Sequence, residues 1–93
     1  MNSRRTKVQI YLGILRSIKD AGGKLKKTHI VYKSNLTNTR VQPYLNDLLA
    51  KGFLTEENEG SHIFFTITDK GIDFLIEARK LKDISEAFGL PMY

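Results

Sequence analysis

The stretch from Lys26 to Leu54, KKTHIVYKSNLTNTRVQPYLNDLLAKGFL, constrains everything around it. Val41, Leu45, Leu48 and Leu49 recur there at i, i+4, i+7 and i+8, one face of a helix running to about Lys51. Arg40, Gln42, Asn46 and Ala50 fall on the opposite, polar face. Just upstream, Ile30, Val31 and Leu36 give a shorter helix its buried side. Asn35 suits the connection between the two because Asn tolerates the left-handed backbone region. Gly52 stops the second helix, and Phe53, Leu54 and Thr55 leave in extended form. Two short helices, a tight turn and the start of a strand make a helix-turn-helix pattern.

Length and charge bound what this pattern sits in. A chain of 93 residues reads as one domain, 1–93. Such a domain buries only about 60–68% of the surface its unfolded chain exposes, so a second copy sharing apolar surface would add stability. Charged residues make up 27% and hydrophobic residues 41%, an ordinary globular balance that argues against disorder. There is no cysteine, which excludes disulfides, thiolate metal sites and cysteine nucleophiles. No apolar run approaches the roughly 18–20 residues that span a bilayer, so the expectation is a soluble cytoplasmic protein with no membrane partner. The net charge of +5 is unevenly spread. Residues 1–51 hold eleven Lys and Arg against two acids, and residues 52–93 hold four against eight. The basic half carries the helix-turn-helix, which favours a polyanionic partner.

Arg4 to Asp20 reads as an amphipathic helix with Ser3 as N-cap. Val8, Tyr11, Leu12, Leu15 and Ile18, widened by Ile10 and Ile14, form its apolar face. That breadth fits burial against the next helices or a surface shared with a second copy. Gly22 to Lys26 is a basic linker or a minimal strand, and Thr28 is the expected N-cap of the next helix. Thr39 and Gln42 fit a capping box at the start of the third helix, which places Pro43 in the first turn or just beyond. Asn58 to Ser61 reads as a turn and His62 to Ile67 as a second strand, together a two-stranded wing. Thr68 caps a last helix with Asp69 in its first turn, where the helix dipole favours an acid. That helix, over 69–88, has two apolar stripes. Ile72, Leu75 and Ile76 return to the core, whereas Phe74, Ala78, Leu81, Ile84 and Phe88 suit a symmetry mate. The fold class expected is α+β, mainly helical, with three helices, a wing and a C-terminal helix.

With KKTHIVYKSNL, YLNDLLAKGFL and ITDKGIDFL in view, the chain resembles the archaeal winged-helix family of small predicted transcriptional regulators. That family includes the ten-kilodalton chromosomal DNA-binding proteins. The resemblance covers roughly residues 5 to 85. It implies a winged helix, often a dimer joined through the C-terminal helix, with Asn38 to Asn46 on the recognition face. The wing departs from the family: its expected tip, Glu56-Glu57-Asn58-Glu59, is acidic where DNA-touching wings often carry Arg or Lys.

The function expected is double-stranded DNA binding by a homodimer. Asn38, Thr39, Arg40, Gln42 and Asn46 would face bases, with Arg40 suited to guanine and Gln42 or Asn38 to adenine. Arg4, Arg5, Lys26, Lys27, Thr28 and Lys33 would grip phosphates. The bland alternatives are helix capping and solvation for Arg40 and Gln42, and a solvated cluster for the lysines. An interaction module and a non-selective chromatin-type protein are the competing functions. An enzyme is not expected, since no nucleophile constellation or phosphate loop is present, and His29 and His62 alone do not make a metal site. No cofactor is expected.

Overall fold

The computed structural model describes residues 5–90. The expected Ser3 cap and the phosphate candidate Arg4 fall outside them. The chain runs α1 (Lys7–Asp20), β1 (Lys24–Lys26), α2 (Lys27–Ser34), α3 (Asn38–Ala50), β2 (Leu54–Glu59), β3 (His62–Ile67) and α4 (Asp69–Phe88). The class is the α+β, mainly helical one expected. The sheet, however, has three strands in the order β1-β3-β2, all antiparallel. The linker between α1 and α2 is therefore a strand. At three residues it is too short to show a period of its own, and β3 defines it by pairing Leu25 with Phe65.

Helix starts differ from expectation in three places. α1 begins after Thr6, whose side chain accepts from the Gln9 N–H at 3.1 Å while Gln9 returns to the Thr6 N–H at 2.8 Å. The capping box of this chain is thus Thr6–Gln9, not Thr39–Gln42. α3 is capped two residues earlier than expected, by Thr37, which accepts from the Arg40 N–H at 3.1 Å. Pro43 then lies a turn and a half into α3, where its missing N–H leaves the exposed Thr39 carbonyl to solvent. α2 is preceded by Lys26 with no side-chain cap, so Thr28 is inside the helix. Asn35 does take the left-handed region, at φ 59°. α3 ends at Lys51, and Gly52, at φ 78°, follows the cap.

Buried Ile14, Leu15 and Ile18 of α1 meet Ile30, Val41, Leu45 and Leu48 of the helix-turn-helix and Phe65 of β3 in one cluster. Val8 is not part of it and is exposed. The GF and TDKG motifs have a joint physical role where the wing meets α4. Thr68 donates its hydroxyl to the Gly52 carbonyl at 2.7 Å, gives its N–H to the Phe53 carbonyl at 3.1 Å, and caps Gly71 at 3.1 Å. A Cβ on Gly71 would stand 2.4 Å from the Phe53 carbonyl oxygen, so only glycine lets α4 approach this closely.

Candidate nucleic-acid interface

The polar face of α3 exists because its apolar positions are spent on the core. Val41, Leu45 and Leu48 are fully buried, which turns Asn38, Thr39, Arg40 and Asn46 outward, with Gln42 half-buried beside them. Lys27, in the first turn of α2, reaches across to donate to Gln42 Oε1. Because an ammonium can only donate, this contact fixes the Gln42 oxygen toward Lys27 and its amide nitrogen the other way. Gln42 Nε2 then donates to Asn46 Oδ1 at 2.8 Å. The result is a relay, Lys27 to Gln42 to Asn46, that leaves the Asn46 amide nitrogen and the remaining Lys27 protons as outward donors. Gln42 has both ends of its amide engaged within the chain, so a two-bond contact to adenine would require it to exchange those partners.

Arg40 has no hydrogen-bond or ion-pair partner for its guanidinium among the described residues, and lines a shallow groove with Lys7, Thr39 and Pro43. The one carboxylate there, Asp47, accepts from Tyr11 Oη at 2.6 Å. The phenol is pushed up to about 12 from its ordinary 10, first by this hydrogen bond and then by burial. Tyr11 thereby ties α1 to α3.

Between the starts of α2 and α3 and the wing tip lies a cleft of about 370 Å³ lined by Lys26, Lys27, Thr28 and Asn38 on one side and Ser61 and His62 on the other. Lys27 and Asn38 also line the adjoining groove over Gln42 and Asn46. The expected base-facing set and three of the expected phosphate residues are therefore contiguous. Lys33 lies apart from these clefts, exposed in the last turn of α2, and Arg5 is exposed just before the α1 cap. Lys7, Ser61 and His62 also line these clefts and were not among the residues expected there. A basic residue in the first turn of α1 was the available signal for Lys7, whereas Ser61 and His62 come in only through the hairpin's fold.

The wing itself corrects the expectation of an acidic tip. Its turn is Gly60-Ser61, and Glu56, Glu57 and Glu59 belong to strand β2. Lys24 of β1 crosses the outer face of the sheet, 4.8 Å from the Phe64 ring centre, to pair with Glu59 and, at 3.8 Å, Glu57. The Glu59 contact raises the Lys24 pKa. Thr66 adds a hydrogen bond to Glu57 at 3.2 Å. Two of the acids thus balance a lysine, while the Gly60-Ser61 turn is flanked by Glu59 and His62, which face each other across the hairpin.

Of the residues expected at a dimer interface, Phe74 is used within the chain, stacked on Phe53 at 4.8 Å and 9°. Ala78 is half-buried, and Leu81, Ile84 and Phe88 are exposed. Among the described residues no helix is long and apolar enough to cross a membrane, and no group of three or more His, Asp and Glu is placed to hold a metal ion.

The sequence matches the winged helix-turn-helix family model over residues 4–86. Sso10a-2, a DNA-binding protein from Sulfolobus solfataricus, is similar in structure with a TM-score of 0.74 at 26% identity, covering 91% of this chain and 85% of that one. AF1382 from Archaeoglobus fulgidus gives 0.70 at 23% identity over 82% of this chain and 87% of its own. The transcriptional regulator BldR from Sulfolobus solfataricus gives 0.72 at 18% identity, covering 89% of this chain and 62% of that one. The last two likenesses concern the fold. No curated protein matches the sequence.

Proposed function

The chain belongs to the winged helix-turn-helix family, and from that premise we propose that it is a duplex-DNA-binding protein, a homodimeric transcriptional regulator that reads the major groove with α3. The observation that carries this reading is the pair of outward donors, Lys27 and Asn46, that Gln42 holds together beside the unpaired Arg40. Base edges and phosphates in the major groove offer acceptors, guanine O6 and N7 above all, and this surface offers donors. Arg40 and Asn46 then contact bases, with Asn38 and Thr39 at the groove edge. Gln42 positions Asn46. Lys26, Lys27 and the first N–H groups of α2, with Thr28, take one phosphate strand. Arg4, Arg5 and Lys7 serve the backbone beside α1, Lys33 the backbone beyond α2, and Ser61 and His62 the wing side. DNA binding of Sso10a-2, at 26% identity, supports the class.

Selection of bound duplexes from a random library, followed by titration of the enriched sequence, tests the proposal. Wild type is expected to enrich a palindrome with half-sites about 10 base pairs apart. Arg40→Glu should weaken binding to it by about tenfold to a hundredfold with an unchanged melting temperature, the cost of a lost guanine contact being about 1–3 kcal/mol. Unchanged affinity in this variant would remove α3 from the interface. Salt-sensitive binding with no enriched motif would favour a chromatin-type protein, and no binding at low salt would overturn DNA binding itself.

A further inference from the structure

A groove between the C-terminal half of α1 and the middle of α4 lies outside every surface assigned above. It is an open groove of about 630 Å³ and shares no residue with the clefts around α3. Arg16 and Lys19 stand on its α1 side and Lys82 on its α4 side, all exposed, and none of the three has a hydrogen bond or ion pair among the described residues. Arg79 and Lys80 extend the same wall, each held along α4 by an acid, Asp83 at 3.3 Å and Glu77 at 3.0 Å. Asp20 is the one carboxylate in the lining. The floor is apolar: Leu75 is half-buried and Ile76 is 47% exposed.

This surface is distinct from the exposed stripe of Leu81, Ile84 and Phe88. At about 100° per residue, Leu75, Arg79 and Lys82 project away from Leu81 and Phe88, and the groove and the stripe adjoin only where Lys80 lies one turn before Ile84. An α4-mediated dimer centred on Leu81 and Phe88 would leave the Leu75 and Arg79 side of the groove open. Cations gathered from two helices give the groove a positive potential that favours an anion, and the partly exposed apolar floor beneath them favours an apolar body.

We propose that this groove binds an amphipathic anion, a carboxylate or phosphate head on a hydrocarbon or aromatic body. The body covers Leu75 and Ile76, and the head meets Arg16, Lys19 and Lys82. The volume is in the range of small-ligand sites, roughly 300–1,000 Å³, and a few charged groups over an apolar lining are the usual division between orientation and affinity. α1 also packs against α2 and α3, which puts the groove one helix away from the donor surface.

The test uses the full chain with decanoate and decyl phosphate, each below its micelle-forming concentration, followed by calorimetry and amide chemical shifts. Saturable binding at one site per chain is expected, with the largest shifts at Arg16, Leu75, Ile76 and Arg79. The tighter of the two probes identifies the head group. Inorganic phosphate, which lacks the body, and decanol, which lacks the charge, should each bind at least about tenfold more weakly. Arg16→Glu combined with Lys82→Glu should weaken binding at least tenfold, and Ile76→Ser, which alters no charge, should weaken it severalfold. Glu56→Gln, exposed on β2 and away from the groove, should change nothing. These positions are exposed, so melting temperatures should stay close to wild type. The proposal is overturned if shifts gather on Leu81, Ile84 and Phe88, if the double variant binds as wild type does, or if inorganic phosphate matches decanoate.

Discussion

Tyr11 shows how one side chain connects the interior to the exposed helix. Its ring packs edge-on to Tyr44 at 5.9 Å, while its hydroxyl leaves the core to meet Asp47. The hydrogen bond exists only while the phenol keeps its proton, so the folded protein holds that proton to about pH 12 against 10 for the free group. The sign follows directly. A folded-state value above the unfolded one contributes stability that is complete below pH 10 and is lost as the pH rises through about 12. Tyr11→Phe is therefore expected to lower the unfolding free energy by about 1.5–3 kcal/mol at neutral pH, the range for a hydrogen bond to a charged partner. In urea melts the gap between wild type and variant should narrow between pH 10 and 12. A constant gap across that window would mean that Asp47 does not hold the proton. Sequence periodicity placed Tyr11 on the apolar face, but a partner 36 residues away has no local signature.

Elements were legible where they carried their own period and obscure where a distant strand or a competing cap decided the outcome. The four helices and the β3 strand follow from apolar spacing within each segment. The start of α3 does not, because Thr37 and Thr39 are both competent caps and the Thr39–Gln42 spacing mimics a capping box. Gln42 was drawn away by Lys27, and Thr37 took the end of the helix. Thr37→Ala should accordingly destabilise the domain by about 0.5–2 kcal/mol. Thr39→Ala should stay within about 0.5 kcal/mol, as exposed substitutions do. Thermal unfolding of the two variants side by side decides the assignment, and a larger loss for Thr39→Ala would move the helix start. The same reasoning explains the wing. Its acids were visible as a run of charge, but the cation that balances Glu57 and Glu59 sits in β1, which the sequence left undecided between linker and strand. The candidate interface was half legible for a related reason: residues on α2 and α3 share a local pattern, while Ser61 and His62 line the same cleft only when the hairpin folds over.

At the scale of the molecule, the radius of gyration of 13.8 Å exceeds the roughly 12 Å of a compact domain this long, and the longest dimension is 49 Å against 22 Å for the shortest. α4 accounts for this shape. Its first half is anchored by Gly71 and Phe74, whereas its second half leaves Leu81, Ile84 and Phe88 at 40%, 53% and 74% exposure. An apolar stripe carried away from its own core stabilises nothing in a monomer, and burying it against the same stripe of a second copy satisfies both at once. We therefore expect Leu81→Glu with Ile84→Glu to convert a dimer to a folded monomer in sedimentation. Binding to a palindromic duplex should then fall by about a hundredfold or more, because the second half-site no longer gains from the first, while affinity for an isolated half-site stays the same. A variant that still sediments as a dimer would shift the interface to α1, where Val8 is exposed. A variant that loses half-site binding as well would mean that α4 holds the recognition helix in place as well as the partner.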